Sequence, residues 1–280
     1  MSKKYFLLLL AVVLWNCSSD DSKNETVVLP AQTLSNVHYG PDDQQIIDIY
    51  LPEGRNAFTT KVLIMVHGGA WIGGSKDDMT AGIAFARLQF PDFAIVNVEY
   101  RLATAESPAY PKQINDIQSV IEHLVDHSGD YAISKNYAFL GISAGAHLSM
   151  LYAYNFDPEH RVKAVCSIVG PTDFNDPAYV GTELETTYFP YLAGPDPSAE
   201  TVTEVSPISH VDANDPPTIQ FLGNLDPLVP PSQGTRLESA LNTAGIANQR
   251  FTYEAAHGNF TFAQSQDINS KLALFLAAHF

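Results

Sequence analysis

The sequence predicts an α/β protein whose mostly parallel sheet is flanked by helices and interrupted once by a small insertion. Three observations carry that expectation. Short apolar runs that stop at glycine or proline recur along the chain, and stretches with apolar residues at helical spacing lie between them. One long segment, residues 171–215, breaks the rhythm. Strands alternating with helices imply crossover connections, and these place helices on both faces of a parallel sheet.

Taken in order, Ile46, Ile47, Ile49 and Leu51 form a strand-like run ending at Pro52. Residues 61–67, KVLIMVH, are a continuous apolar run halted by glycines, as a strand buried on both faces should be. Residues 93–100 repeat the pattern. From 112 to 127, Ile114, Ile117, Val120, Ile121, Leu124 and Val125 recur at helical spacing. Residues 136–141 read as a strand, with a helix starting almost at once over 144–154. Residues 162–170 and 218–223 are two further strands. A helix over 232–244, a strand over 250–254 and a closing helix over 262–280 complete the series. Residues 171–215, rich in Pro, Thr, Tyr and acidic side chains, are too long for an idle loop and are expected to cap the site.

With 280 residues, 45% apolar and 16% charged, the chain can bury one sizeable core. Fifteen Lys and Arg against 31 Asp and Glu leave a net charge of −16, which argues against a nucleic-acid partner. The two cysteines are Cys17 and Cys166. Cys166 lies in a strand-like run and reads as a small buried apolar residue, so no disulfide is expected.

At the N-terminus, Lys3 and Lys4 precede an apolar stretch over residues 5–15 and then Asn16-Cys17-Ser18-Ser19-Asp20-Asp21. That stretch is shorter than the roughly 20 residues needed to span a bilayer. It fits the core of a secretory leader over residues 1–16 and resembles a bacterial lipoprotein signal with Cys17 as the lipidated residue. Trp15 and Asn16 depart from the small residues usual before such a cysteine. A lipid on Cys17 would give the chain a membrane partner at the outer membrane or cell surface, with periplasmic or soluble secretion as the alternative. Residues 17–35 then read as a tether and 36–280 as one domain.

Gly141-Ile142-Ser143-Ala144-Gly145 matches G-x-S-x-G between a strand and a helix, the context of a nucleophile elbow in the α/β-hydrolase fold. Small neighbours allow the tight turn, and the Ala144 N–H at the helix start faces the place where negative charge would form. His67-Gly68-Gly69-Ala70-Trp71 follows another strand. Its bare main-chain N–H groups at Gly69 and Ala70 are the other candidate oxyanion donors. The nearby Gly73-Gly74-Ser75-Lys76 lacks the order of a phosphate loop.

A serine nucleophile needs a histidine base, and the histidine needs a carboxylate to fix its tautomer. In this fold the acid and then the histidine follow the serine. Of nine histidines, His257 stands in a small loop after the strand at 250–254, whereas His279 is terminal and His210 precedes a proline-rich stretch. Asp226, directly after the strand at 218–223, is the candidate acid, with Glu254 and Asp173 as rivals. Arg101 and Asp116 read as a structural pair, and His147, one helical turn beyond Ser143, as a packed side chain.

Together, HGGAW, EYRL, GISAGAH, GNLDPLVP and AAHGNF resemble the small carboxylesterases related to hormone-sensitive lipase. They are closer still to bacterial esterases that act on acetylated or feruloylated polysaccharides. The resemblance runs from Val37 to Phe280. It implies an α/β-hydrolase serine esterase with Ser143, Asp226 and His257 as triad, Gly69, Ala70 and Ala144 as oxyanion donors, and neither metal nor organic cofactor. The implied substrate is a small-molecule or oligosaccharide ester. A peptidase or amidase of the same fold and a non-catalytic binding lipoprotein stay open. Tyr179, Tyr188, Phe189 and Tyr191 could stack on a sugar or feruloyl ring, or be ordinary core aromatics.

Overall fold

The structure, a computed structural model, describes residues 28–280. The leader at 1–16, Cys17 and the tether as far as residue 27 lie outside the described residues.

Eight strands form one sheet: β1 (Gln32–His38), β2 (Ile46–Leu51), β3 (Val62–Val66), β4 (Ala94–Val98), β5 (Tyr137–Ile142), β6 (Val162–Ile168), β7 (Thr218–Gly223) and β8 (Asn248–Tyr253). Their order across the sheet is β1-β2-β4-β3-β5-β6-β7-β8. The β1–β2 and β2–β4 pairs are antiparallel, and all pairs from β4 to β8 are parallel. This is the α/β-hydrolase architecture.

Every residue of β3, β4 and β7 is buried, which is why β3 reads as an unbroken apolar run and β4 and β7 as mostly apolar ones rather than as alternating strands. Pleating sends successive side chains to opposite faces. Val62, Ile64 and Val66 of β3 join one core with helices α2 (Lys112–Asp126) and α3 (Ala144–Asn155). Leu63 and Met65 enter a second core with α1 (Thr80–Gln89) and the closing helix. That closing helix is α5 (Phe262–His279), and α4 (Ser232–Ala244) adds Leu237 and Leu241 to the first core.

Two elements differ from expectation. β1 reaches back to Gln32, so residues 32–35 belong to the sheet and not to the tether. Its pairing is irregular between Leu34 and Val37, where Asn36 adopts a φ of 52° and donates its N–H to Asp48 at 2.8 Å. That bulge and largely exposed faces erase the alternation that would announce a strand. Helix α1 was also not expected: it buries only Ile83 and Ala86, and Gly82 lies against Met65. The Arg101–Asp116 pair forms as read. The Arg101 N–H and Nε both reach the fully buried Asp116 carboxylate, at 2.9 and 3.0 Å, and Gln45 Nε2 adds a bond of 2.8 Å.

Candidate active site

The parallel strands β3, β5, β7 and β8 point their carboxyl ends the same way, and the loops leaving them converge there. Such a convergence at strand carboxyl ends is where open α/β sheets place their chemistry.

The turn after β5 is the tightest feature. Ser143 sits at φ 52°, ψ −118°, a backbone state that L-residues rarely occupy. It is held there because only hydrogen fits at its neighbours. A Cβ on Gly145 would stand 2.2 Å from the Val66 carbonyl oxygen, and one on Gly141 2.5 Å from the Ala146 backbone. The Ser143 N–H donates to Ile168 O at 2.8 Å, tying the turn to β6.

His257 Nε2 lies 2.8 Å from Ser143 Oγ, and His257 Nδ1 lies 2.7 Å from Asp226 Oδ2. The second oxygen of Asp226 accepts the N–H groups of Leu228 (2.8 Å) and Val229 (2.9 Å). The carboxylate is therefore both buried and satisfied, as a buried charge must be. Its side chain is 1% exposed and that of His257 21%. With Nδ1–H committed to Asp226, Nε2 presents its lone pair to the serine hydroxyl. The loops carrying acid and histidine are stitched together. Asn224 N donates to Tyr253 O (2.9 Å), Leu225 N donates to Ala255 O (3.1 Å), and Gly223 packs where a Cβ would strike Ala255 O at 2.2 Å.

The loop after β3 runs through three successive positive φ values: Gly69 (121°), Ala70 (50°) and Trp71 (66°). Among the described residues, the Gly69 and Ala70 N–H groups have no hydrogen-bond acceptor. Gly68 abuts the serine, with its Cβ position 3.2 Å from Ser143 Cβ. The loop is anchored from behind. Its Gly69 carbonyl accepts from Ile72 and Gly73, and the Trp71 indole donates to His147 Nδ1 at 3.2 Å.

The rival acids stand elsewhere. Asp173 accepts Arg236 Nε at 2.7 Å, and Glu254 is exposed, whereas the acid paired with His257 is Asp226. His147 is packed as read: fully buried, it bonds Val205 O through Nε2 at 2.7 Å, and burial pulls its pKa down to about 4. Cys166 is a buried thiol whose pKa burial pushes up, with no partner among the described residues. Among the described residues no cluster of three His, Cys, Asp or Glu side chains is arranged to hold a metal ion.

Residues 171–215 hold only short helical turns, including Phe189–Ala193 and Ala199–Glu204. Of the aromatics singled out from sequence, Tyr179 is buried, stacked on Phe174, while Tyr188, Phe189 and Tyr191 are half-buried. Phe174, which belongs to none of the sequence motifs, is the hub. Its ring meets Trp71, His147, Tyr179 and Phe189 at 4.8–6.1 Å, linking the glycine loop to the insertion. A cavity of about 400 Å³ lies within the insertion, lined by Phe174, Tyr179, Leu184, Phe189 and Val202 among others. A larger concavity of about 700 Å³ beside Val211 and Arg236 contains none of the predicted site residues.

The BD-FAE family profile matches residues 47–241, more than half of the chain and inclusive of Ser143 and Asp226. The chain belongs to the BD-FAE family. This BD-FAE member is 27% identical over 215 residues to "Esterase LipC" of Mycobacterium tuberculosis, covering 70% of the chain and 52% of that protein. It is 27% identical over 163 residues to "Arylacetamide deacetylase" of Bos taurus, covering 52% of the chain and 38% of the relative. It spans about half the length, or less, of these curated relatives. Among solved structures, a truncated carbohydrate esterase from gut microbiota superposes with a TM-score of 0.72 at 23% identity, over 87% of this chain and 96% of that one. The likeness fixes the fold of the BD-FAE member.

Proposed function

We propose that this protein is a serine esterase that hydrolyses carboxylic esters through an acyl-enzyme. The observation that carries the reading is the continuous chain of contacts from Asp226 through His257 to Ser143, at 2.7 and 2.8 Å. His257 takes the Ser143 proton as Oγ attacks the ester carbonyl. The carbonyl oxygen gains negative charge and is received by the N–H groups of Gly69, Ala70 and Ala144. The alcohol leaves with the proton from His257, and water, activated by the same imidazole, releases the acid. Asp226 holds the Nδ1–H tautomer and stabilises the imidazolium. The esterase named among the relatives and the five motifs support ester over other acyl substrates.

The substrates proposed are short-chain or carbohydrate-linked esters, acetyl or feruloyl. Support comes from the likeness of the motifs to polysaccharide esterases and from the aromatic insertion, which would cap the site. Export with a lipid on Cys17 belongs to the same reading and rests on Lys3, Lys4 and the apolar run after them. Mass spectrometry of the mature N-terminus tests it. A second reading, amide hydrolysis, is favoured by the arylacetamide deacetylase and the kynurenine formamidases among the relatives.

The test compares acetyl, butyryl, octanoyl and feruloyl esters and an aryl acetamide, with Ser143→Ala alongside. Wild type should cleave esters, and the variant should lose at least about 10³-fold in kcat while keeping its Tm. Amide turnover exceeding ester turnover would favour the second reading. Equal inactivity of both proteins on every substrate would remove the catalytic reading.

A further inference from the structure

A second acid–histidine pair stands behind the glycine loop. His67 is fully buried, and its imidazole stacks on Tyr100 at 4.2 Å with the rings 6° from parallel. Its Nδ1 lies 2.6 Å from the carbonyl oxygen of Gly68. A carbonyl oxygen only accepts, so Nδ1 carries a hydrogen. The other ring nitrogen, Nε2, is buried with no hydrogen-bond partner among the described residues. It lies 3.4 Å from Glu99 Oε1, a charge contact that needs a hydrogen on Nε2 as well, and Glu99 Oε2 accepts the Lys76 N–H at 2.9 Å. The Tyr100 hydroxyl donates to the His67 carbonyl at 3.0 Å, fixing the residue's main chain as well. Gly74 makes room for the arrangement: a Cβ there would lie 2.4 Å from Gly68 O and 2.9 Å from His67 Nδ1.

The Gly68 carbonyl and the Gly69 N–H are the two ends of one planar peptide unit. A hydrogen bond to the oxygen fixes the direction of the N–H, and by polarising the unit makes that N–H a stronger donor. We infer that His67, carrying hydrogen on both ring nitrogens between the Gly68 carbonyl and the Glu99 carboxylate, is a positioning residue that orients and polarises the Gly68–Gly69 peptide so that its N–H receives the oxyanion. The inference rests on the esterase reading. Neither residue touches substrate. Unlike His257, whose Nε2 offers a lone pair to Ser143, His67 faces acceptor oxygens on both sides.

Three variants of the full chain test it. In His67→Asn, the amide nitrogen of the new side chain can stand where Nδ1 stood and still donate to Gly68 O. His67→Phe keeps a ring against Tyr100 but cannot donate, and Glu99→Gln keeps shape while removing the charge. Losing one oxyanion donor outright costs about 10²–10³ in kcat. His67→Phe should therefore lose up to roughly 100-fold in kcat on p-nitrophenyl acetate, with KM within about threefold. Glu99→Gln should lose about tenfold, and His67→Asn should recover most of the rate of His67→Phe. The Ki of a trifluoromethyl ketone, whose adduct places an oxyanion in the hole, should rise in step with each kcat loss.

Folded Phe and Asn variants with equal losses, or a ketone Ki that stays at the wild-type value while kcat falls, would overturn the pair's role. So would variants with wild-type kcat. If His67→Phe does not fold, Glu99→Gln decides: a kcat loss with a parallel rise in Ki supports the pair, and neither change overturns it. Wild-type turnover abolished by Ser143→Ala shows that the esterase reading holds when only the positioning role fails.

Discussion

The turn at Ser143 and the insertion between β6 and β7 lie on the same end of the sheet, and they keep their shapes by opposite means. The turn is held by main chain against main chain, with Gly141 and Gly145 leaving no room for a side chain. The insertion is held by side chains, centred on the fully buried Gln233 of α4. Gln233 Oε1 accepts the N–H groups of Thr172 and Asp173, each at 2.8 Å. Its Nε2 donates to Asp173 O at 3.1 Å and to Asp176 Oδ2 at 2.9 Å. Ser232 and Arg236 complete the network. A shape fixed by main-chain contact tolerates no substitution at its small residues. A shape fixed by a polar network can be loosened without moving the turn.

The largest effect should come from Gly145→Ala. One methyl group placed 2.2–2.3 Å from the carbonyl oxygens of Val66 and His67 has nowhere to go. We expect more than about 4 kcal/mol of destabilisation, read as a collapse of Tm or loss of soluble protein. A variant melting within a few degrees of wild type would show that the turn can yield.

His147 joins the two regions, standing on the helix after the turn and bonding Val205 of the insertion. Its folded-state pKa of about 4 is below the unfolded value of 6.5. The unfolded chain therefore binds the proton first as pH falls. Stability from this group is complete above about pH 6.5 and declines towards pH 4, by up to roughly 3 kcal/mol. Urea melts at several pH values should show that decline, and His147→Gln should flatten it; an unchanged slope would assign the acid sensitivity to other groups.

Gln233→Leu is expected to have the smallest effect of the three, about 2 kcal/mol, because it leaves the Thr172 and Asp173 N–H groups buried without acceptors. Turnover of an acetyl ester should stay within a few-fold of wild type, since no atom of the Ser143–His257 contact moves. Loss of that turnover alongside a mild Tm change would mean that the insertion supports the turn as well.

The same contrast explains what the sequence could reveal. Residues 61–67 and 136–141 read as strands because both faces of β3 and β5 are buried, and the elbow was legible because a strand, small residues and a helix sit within one short stretch. Asp226 and His257 were reachable because each follows a strand by a few residues, so chain order could select them. β1 was missed because only Leu34 and Val37 are partly buried in it and a bulge breaks its period. The hub role of Phe174 was hidden because it depends on rings more than 70 residues apart along the chain in one case and nearby in another, a matter of tertiary contact alone. His67 and Glu99 were both visible as members of motifs. Their meeting depends on β3 and β4 being neighbours in the sheet, which neither motif announces.

The partners of Ser143 arrive late along the chain: His257 is 114 residues downstream of it, and β8 is the last strand in the sequence and an edge of the sheet. A chain emerging N-terminus first therefore has its hydroxyl long before it has the imidazole that would arm it. On the proposed mechanism, the serine would be an ordinary alcohol until the loop after β8 docks on the loop after β7. By the same mechanism the protein would stay inert while it is being made, and would become reactive only once β8 is in place at the edge of the sheet.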